Sequence, residues 1–185
     1  MASNATIYKA ALQIADMDRN YYQDHTLTLA RHPSETDERM MVRLLAFIRH
    51  AHEALLFGRG MSAEDEPDLW LKDLTGNIDL WVDVGQPEEK DIRRACGRAK
   101  LVYVYSYGNR GAELWWAKSQ ANLARLDNLT VINLAPETSR ALSLLAQRNM
   151  RLQCTLQDAQ IWVADEQRTI QIDPVILKDV TTKRR

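Results

Sequence analysis

Cysteine is almost missing from this chain. Cys96 and Cys154 are the only two in 185 residues, and neither belongs to a Cys-x-x-Cys pair. That argues against a disulfide framework and against structural zinc, and leaves two reduced, buried thiols as the expectation. Glycine is scarce as well, with seven in all. Neither Gly-x-Gly-x-x-Gly nor Gly-x-x-x-x-Gly-Lys-Ser/Thr occurs, so the common phosphate-cradling loops are absent. Gly-x-Ser-x-Gly and His-Glu-x-x-His are missing too, which removes the usual hydrolase elbow and zinc-protease helix. Histidine stops at His52, after His25, His32 and His50. His50 and His52, two apart, cannot share a helix face. No run approaches the ~18 apolar residues of a membrane span, and the N-terminus has no basic and apolar leader. A cytoplasmic protein with no membrane partner is the expectation. Neither sign of charge dominates: 24 Lys and Arg face 25 Asp and Glu, for a net charge of −1. No global field is available to hold a polyanion, although Arg93, Arg94, Arg98 and Lys100 form one local basic cluster.

What is present is the pattern of a single α/β (α+β) domain over residues 1–185. Ala5–Ala15 and Tyr21–Ala30 alternate around the turn-forming stretch Asp16–Asn20 and predict a hairpin. Ser34, with Asp37 three residues on, announces a helix. Met41, Leu44, Leu45, Ile48, His52 and Leu55 carry that helix through about five turns, to Gly58 or Gly60. The irregular Arg59–Asn77 segment holds the acidic knot Glu64-Asp-Glu-Pro-Asp68. Helices over 88–100, 112–126 and 136–148 then alternate with strands over 101–107 and 129–134, which predicts parallel crossovers. The segments 150–156, 160–163 and 169–172 form an antiparallel meander, and 178–185 frays. Hairpin, centre and meander are expected to share one mixed sheet flanked by helices, or to form a main sheet with a smaller antiparallel layer against it.

The strand around which this order is built is Ile78–Pro87. Ile78, Leu80, Val82 and Val84 share one face, while Asp79, Trp81 and Asp83 share the other. Two carboxylates flanking an indole call for a cation, a helix end or a polar cleft, and Trp81 is expected to be half-exposed in such a cleft. Four residues span roughly 13 Å of strand, so a metal site also needs an acid from another segment, and Glu66 or Asp68 would supply it. Glu35 or Glu38 would add a third carboxylate to a Mg²⁺ ion. Competing with this is a structural reading, in which Glu35 pairs with Arg39 and Asp79 or Asp83 meets Arg39 or Arg43. Trp115, Trp116 and the tyrosines at 103, 105 and 107 are either stacking platforms or core.

Several stretches together resemble the bacterial YaeQ family: Ala5-Thr-Ile-Tyr-Lys9, Ala30-Arg-His-Pro-Ser-Glu35, Asp65-Glu-Pro67 with Trp70, Gly76-Asn-Ile-Asp-Leu-Trp81 and Val84-Gly-Gln-Pro87. The resemblance covers nearly the whole chain. It implies a variant of the PD-(D/E)XK nuclease-like fold in a family of unknown function. It also implies Mg-dependent phosphodiester hydrolysis, with Asp68 or Glu66 as the first acid, Asp79 or Asp83 as the second and these as metal ligands, Glu35 or Glu38 as the helix acid, and Lys90, Arg93 or Arg94 as a migrated basic group. The pattern's lysine is not kept, since Gly85 and Trp81 stand two positions after Asp83 and Asp79. The alternative is therefore a catalytically degenerate fold that binds a protein or nucleic acid, with its acids locked to Arg39, Arg43 and Arg93.

Overall fold

Strands occupy both ends of the chain and alternate with helices through its middle. The computed structural model describes residues 4–181. In chain order the elements are β1 (Thr6–Asp16), β2 (Tyr21–Arg31), α1 (Asp37–Arg49), β3 (Leu55–Phe57), β4 (Leu69–Lys72), β5 (Ile78–Val84), α2 (Glu89–Arg98), β6 (Ala99–Tyr107), α3 (Arg110–Leu123), β7 (Leu129–Leu134), α4 (Pro136–Ser143), β8 (Asn149–Gln157), β9 (Gln160–Ala164), β10 (Thr169–Ile172) and β11 (Val175–Lys178). The fold is α+β, with two mixed sheets. Chain contacts divide it into two compact units, one made of residues up to 49 with 137–174, the other of 50–136 with the segment from 175 on.

In the first unit the strand order is β10-β9-β8-β1-β2. The hairpin and the meander do not extend the central sheet. They make a sheet of their own, joined by parallel pairing of β1 with β8, Lys9 opposite Asn149 and Asp16 opposite Leu156. Period-two alternation buries one face: Ala10, Leu12 and Ile14 on β1 and Leu152, Cys154 and Leu156 on β8 are at most 5% exposed. Helix α1 is buried from Met40 to Ile48, and the Phe47 ring meets His25 of β2 edge-on. The helix starts at Asp37, not Ser34, because the Thr36 hydroxyl accepts the Arg39 amide at 3.1 Å. It also ends earlier than the apolar stripe suggests. The His52 ring takes the Ala54 amide at 3.0 Å, turning the chain into β3.

In the second unit the order is β11-β7-β6-β5-β4-β3, with β5, β6 and β7 parallel and the outer strands antiparallel. The crossovers α2 and α3 pack on the face that carries Trp81, Val102, Val104 and Val131, where Ile92, Ala95 and Leu123 complete the core. Trp81 is therefore core, 5% exposed, rather than half-open in a cleft. Strand β11 lies beyond the meander, in a stretch with no strand expected. It is held by Lys178 Nζ, which donates to the carbonyls of Leu126 and Leu129 at 2.7 and 3.0 Å. Burial lowers the pKa of this ammonium.

Both thiols are free, Cys154 buried as expected and Cys96 half-buried. Burial pushes Cys154 up to about 12 and half-buried Cys96 up to about 11. Since the thiolate is the nucleophile, at pH 8 the native chain is expected to show both thiols as silent toward an aromatic disulfide reagent. The same chain in denaturant should titrate two thiols within minutes. Rapid reaction of either in the native state would contradict this burial.

Candidate functional site

Strand β5 reaches its neighbours through three carboxylates, only two of which are its own. Asp79 lies 2.6 Å from Lys100 Nζ, and its hydrogen bond and charge raise the lysine pKa. Asp83 accepts the Trp81 indole N–H at 2.9 Å, so the two side chains on that face satisfy each other. The third carboxylate is that of Asp68, just before β4. Its amide donates to the Val82 carbonyl at 3.0 Å, and its carboxylate Oδ2 accepts the Val84 amide at 2.8 Å. Asp68 is 4% exposed. Its side chain thus continues the β4–β5 ladder one step past the last paired backbone groups.

The segment between β3 and β4 folds back onto this point. The Gly58 amide donates to the Asp68 carbonyl and the Gly60 amide to the Pro67 carbonyl, at 3.0 and 3.2 Å. Gly60 has φ +47°, and a Cβ there would sit 2.6 Å from Asp68 Oδ1, so only glycine fits. Glu66, in the same loop, pairs with Arg59 at 3.1 Å and accepts the Arg59 amide at 2.9 Å. Those bonds hold its carboxyl below the ordinary range. Arg93 pairs with Glu89 one turn back along α2, at 3.2 Å. Arg94 is bonded to Asp91. Of the basic cluster seen in the sequence, Arg93 and Arg94 are thus paired within their own helix and Lys100 with Asp79. The Arg98 guanidinium lies over Trp81, 5.1 Å from the ring centre, and donates to the Asp65 carbonyl at 3.1 Å.

Glu35 belongs to the first unit. It precedes α1 and is 6% exposed. Arg43 grips it with two parallel bonds, Nε to Oε1 at 2.7 Å and Nη2 to Oε2 at 2.8 Å, while Arg39 Nη1 adds a third at 2.9 Å. Arg43 Nη2 also donates to the Ala30 carbonyl at 3.1 Å.

The carboxyl ends of β5, β6 and β7 are where open parallel sheets ordinarily receive ligands. Here the loops bond to one another. Gln86 Nε2 donates to the Tyr107 carbonyl at 2.7 Å, Trp115 Nε1 to the Pro87 carbonyl at 2.9 Å, and the Ser106 hydroxyl to Asn133 Oδ1 at 2.9 Å. Gly85 and Gly108 make the sharp turns, with φ +105° and +101°. Among the described residues no three of His, Cys, Asp and Glu converge as a metal site.

A sequence model of the YaeQ protein family matches residues 1–174. The chain belongs to the YaeQ family. It is 49% identical over 172 residues to an uncharacterised YaeQ protein of Salmonella typhi, covering 93% of this chain and 95% of that one. Against the YaeQ protein of Escherichia coli K12, also described as uncharacterised, it is 46% identical over 173 residues, 94% of this chain and 96% of the other. The crystal structure of YaeQ from Xanthomonas axonopodis pv. citri superposes with a TM-score of 0.91 at 48% identity, covering 94% of this chain and 98% of that one. YaeQ from Pseudomonas syringae gives the same score at 31% identity, over 95% and 97% of the two chains. Nothing in these YaeQ names states an activity.

One close polar pair in the second unit escaped the sequence reading. His50 Nε2 lies 2.6 Å from the hydroxyl of fully buried Tyr105, and the His50 ring meets Tyr103 edge-on. Only β6 alternation, which puts Tyr103 and Tyr105 on the face opposite Trp81's neighbours Val102 and Val104, carries any signal of it. Helix periodicity instead spends His50 on a helix end. No helix of the described residues is long and apolar enough to cross a membrane.

Proposed function

We propose that this member of the YaeQ family is a binding module on a nuclease-like fold, catalytically silent toward phosphodiesters. The supporting observation is how the acids are spent. Glu35 is clamped by Arg43 and Arg39, Glu66 by Arg59, Asp79 by Lys100 and Asp83 by the Trp81 indole. Magnesium needs hard oxygen ligands converging from more than one segment, and each of these carboxylates is already matched by a cation or donor of its own unit. The donor set therefore does not fit the ion that the nuclease resemblance implies. Gly85, where a working site places lysine, brings no basic group either.

Calorimetric titration of Mg²⁺ and Mn²⁺ into the wild type, Asp79→Ala and Asp83→Ala tests this, alongside incubation with plasmid DNA and single-stranded RNA. We expect no saturable heat up to millimolar ion and intact substrates. Saturable ion binding lost in either variant, with metal-dependent cleavage, overturns the reading.

A further inference from the structure

The outer face of the five-stranded sheet has a composition that packing does not explain. Lys9, Ala11, Gln13 and Ala15 point away from the core, opposite the buried Ala10, Leu12 and Ile14. Register sets their neighbours in rows across the sheet. Tyr22, Ala15, Thr155 and Trp162 form one row. The next contains Asp24, Gln13, Gln153 and Ala164, and the third Thr26, Ala11 and Arg151. Small side chains on β1 thus form a floor between an aromatic on β2 and one on β9. Tyr22 is 55% exposed, and three strand spacings put it roughly 14 Å from Trp162.

Three adjoining hollows follow this floor. One, of about 610 Å³, is lined by Tyr22, Asp24, Gln13, Ala15, Gln153 and Thr155. A second, of about 450 Å³, holds Lys9, Arg151, Thr26 and Asn149. The third, of about 560 Å³, includes Gln13, Arg151 and Gln153 and connects them. Lys9 and Arg151 sit on adjacent strands, one spacing across and two residues along, about 8 Å apart at their Cα atoms. Among the described residues neither makes an ion pair. Two like charges this close on an exposed sheet destabilise it slightly, which is tolerable where an anion bridges them. The acids nearby are Asp24, Glu166 and Asp165. Asp165 is engaged by the Gln167 and Arg168 amides, both at 2.8 Å.

We propose that this face binds a short single-stranded nucleic acid, about three nucleotides long, laid across β2, β1, β8 and β9. Bases stack on Tyr22 and Trp162, the Gln13 and Gln153 amides meet base edges, and phosphates bridge Lys9 and Arg151. Stacking on an aromatic tolerates any base, since every base has a π-face. The face carries three acids, Asp24, Asp165 and Glu166, against the two cations Lys9 and Arg151, so affinity comes chiefly from stacking. With two phosphate contacts the slope of log affinity against log salt is about −1.4. The proposal deepens the binding reading above by naming the partner.

Fluorescence anisotropy of labelled twelve-residue pyrimidine RNA and DNA with the full chain tests it at 50 and 200 mM salt. Micromolar binding is expected. Tyr22→Ala should weaken it by about five- to 150-fold, the range for loss of one base stack, with Tyr22→Phe restoring it. Lys9→Gln and Arg151→Gln should each flatten the salt slope by about 0.7. All four changes fall on exposed positions, and an unchanged melting temperature checks the fold. No binding at 100 µM protein, or binding indifferent to Tyr22→Ala and both charge variants, overturns the proposal. So does saturable binding of poly-glutamate with none of the oligonucleotide, which assigns the face to a polypeptide. If the bound strand is shortened in the presence of Mg²⁺, the silent-module reading fails and the binding face stands.

Discussion

Replacing Glu35 with alanine should cost this protein about 3–5 kcal/mol of stability. Removal of one partner strips Arg43, a buried cation 5% exposed, of its bidentate carboxylate, while its bond to the Ala30 carbonyl stays. Arg39 loses its bond to Glu35 as well, but it lies nearer water and can turn outward. The pair is a poor source of net stability by itself, because desolvating both charges offsets much of their attraction. The double variant Glu35→Leu with Arg43→Met should accordingly recover most of the loss, the two apolar chains filling the volume the charges vacate. Urea unfolding of the single and double variants, compared at constant m-value, measures both effects. A carboxylate retained for chemistry behaves in the opposite way: its removal leaves stability unchanged or raised. A stabilised Glu35→Ala would therefore revive the role that the nuclease resemblance gives this residue.

The second large effect is expected at Gly58. A Cβ there would stand 2.2 Å from the Pro67 carbonyl oxygen and 3.2 Å from its carbon. Both atoms are backbone, so no rotamer change relieves the overlap. The Gly58 amide is bonded to the Asp68 carbonyl at 3.0 Å, and any shift that frees the methyl group breaks this bond. It also drags Asp68 from the Val84 amide. Overpacking of this kind costs about 1–3 kcal/mol, and more where backbone must move. We expect Gly58→Ala to fall at or above the upper end of that range. Gly97→Ala, with nothing within 4 Å of its Cβ and a helical backbone, should be neutral or stabilising. Thermal unfolding of the two variants side by side reads the difference. A Gly58→Ala protein that melts with the wild type would contradict the close approach.

Much of this fold could be read from the chain because period and chemistry agreed. The Asp16–Asn20 turn sits between two alternating strands, and Leu129–Leu134 came out with the expected bounds. Misreadings arose where a side chain substitutes for backbone. His52 accepts the Ala54 amide and turns the chain toward β3 inside a stripe that helical spacing carries on to Leu55. The β8–β9 turn was legible from the strands on either side, although it uses Asp158 and Ala159, both at positive φ, without the glycine that marks such turns. Asp18 supports it from the first hairpin, accepting both amides at 2.8 and 3.0 Å, a contact between residues distant in sequence. The candidate acids were found by type and spacing, yet spacing does not reveal a carboxylate's partner. Glu35 with Arg39 was legible as neighbours one turn apart. The bidentate Arg43 depends on the turn that lays Glu35 beside α1, and the Lys100 ammonium at Asp79 on the pairing of β5 with β6. The outer face of the first sheet stayed unread because polar alternation on a hairpin is also what plain solvent exposure looks like.

The parallel seam between β1 and β8 also dictates when this protein can form. Gln13 and Gln153, on the two strands, are 140 positions apart. At about 5–20 residues per second, a ribosome needs roughly 7–28 s to deliver the second strand after the first. Throughout that interval Ala10, Leu12 and Ile14 lack their neighbours Met150, Leu152 and Cys154, and the intervening unit is synthesised first. The hairpin must therefore wait as an open-edged, sticky segment on the nascent chain. Holdase protection during translation is the expected requirement, and messages truncated before codon 157 should yield insoluble product.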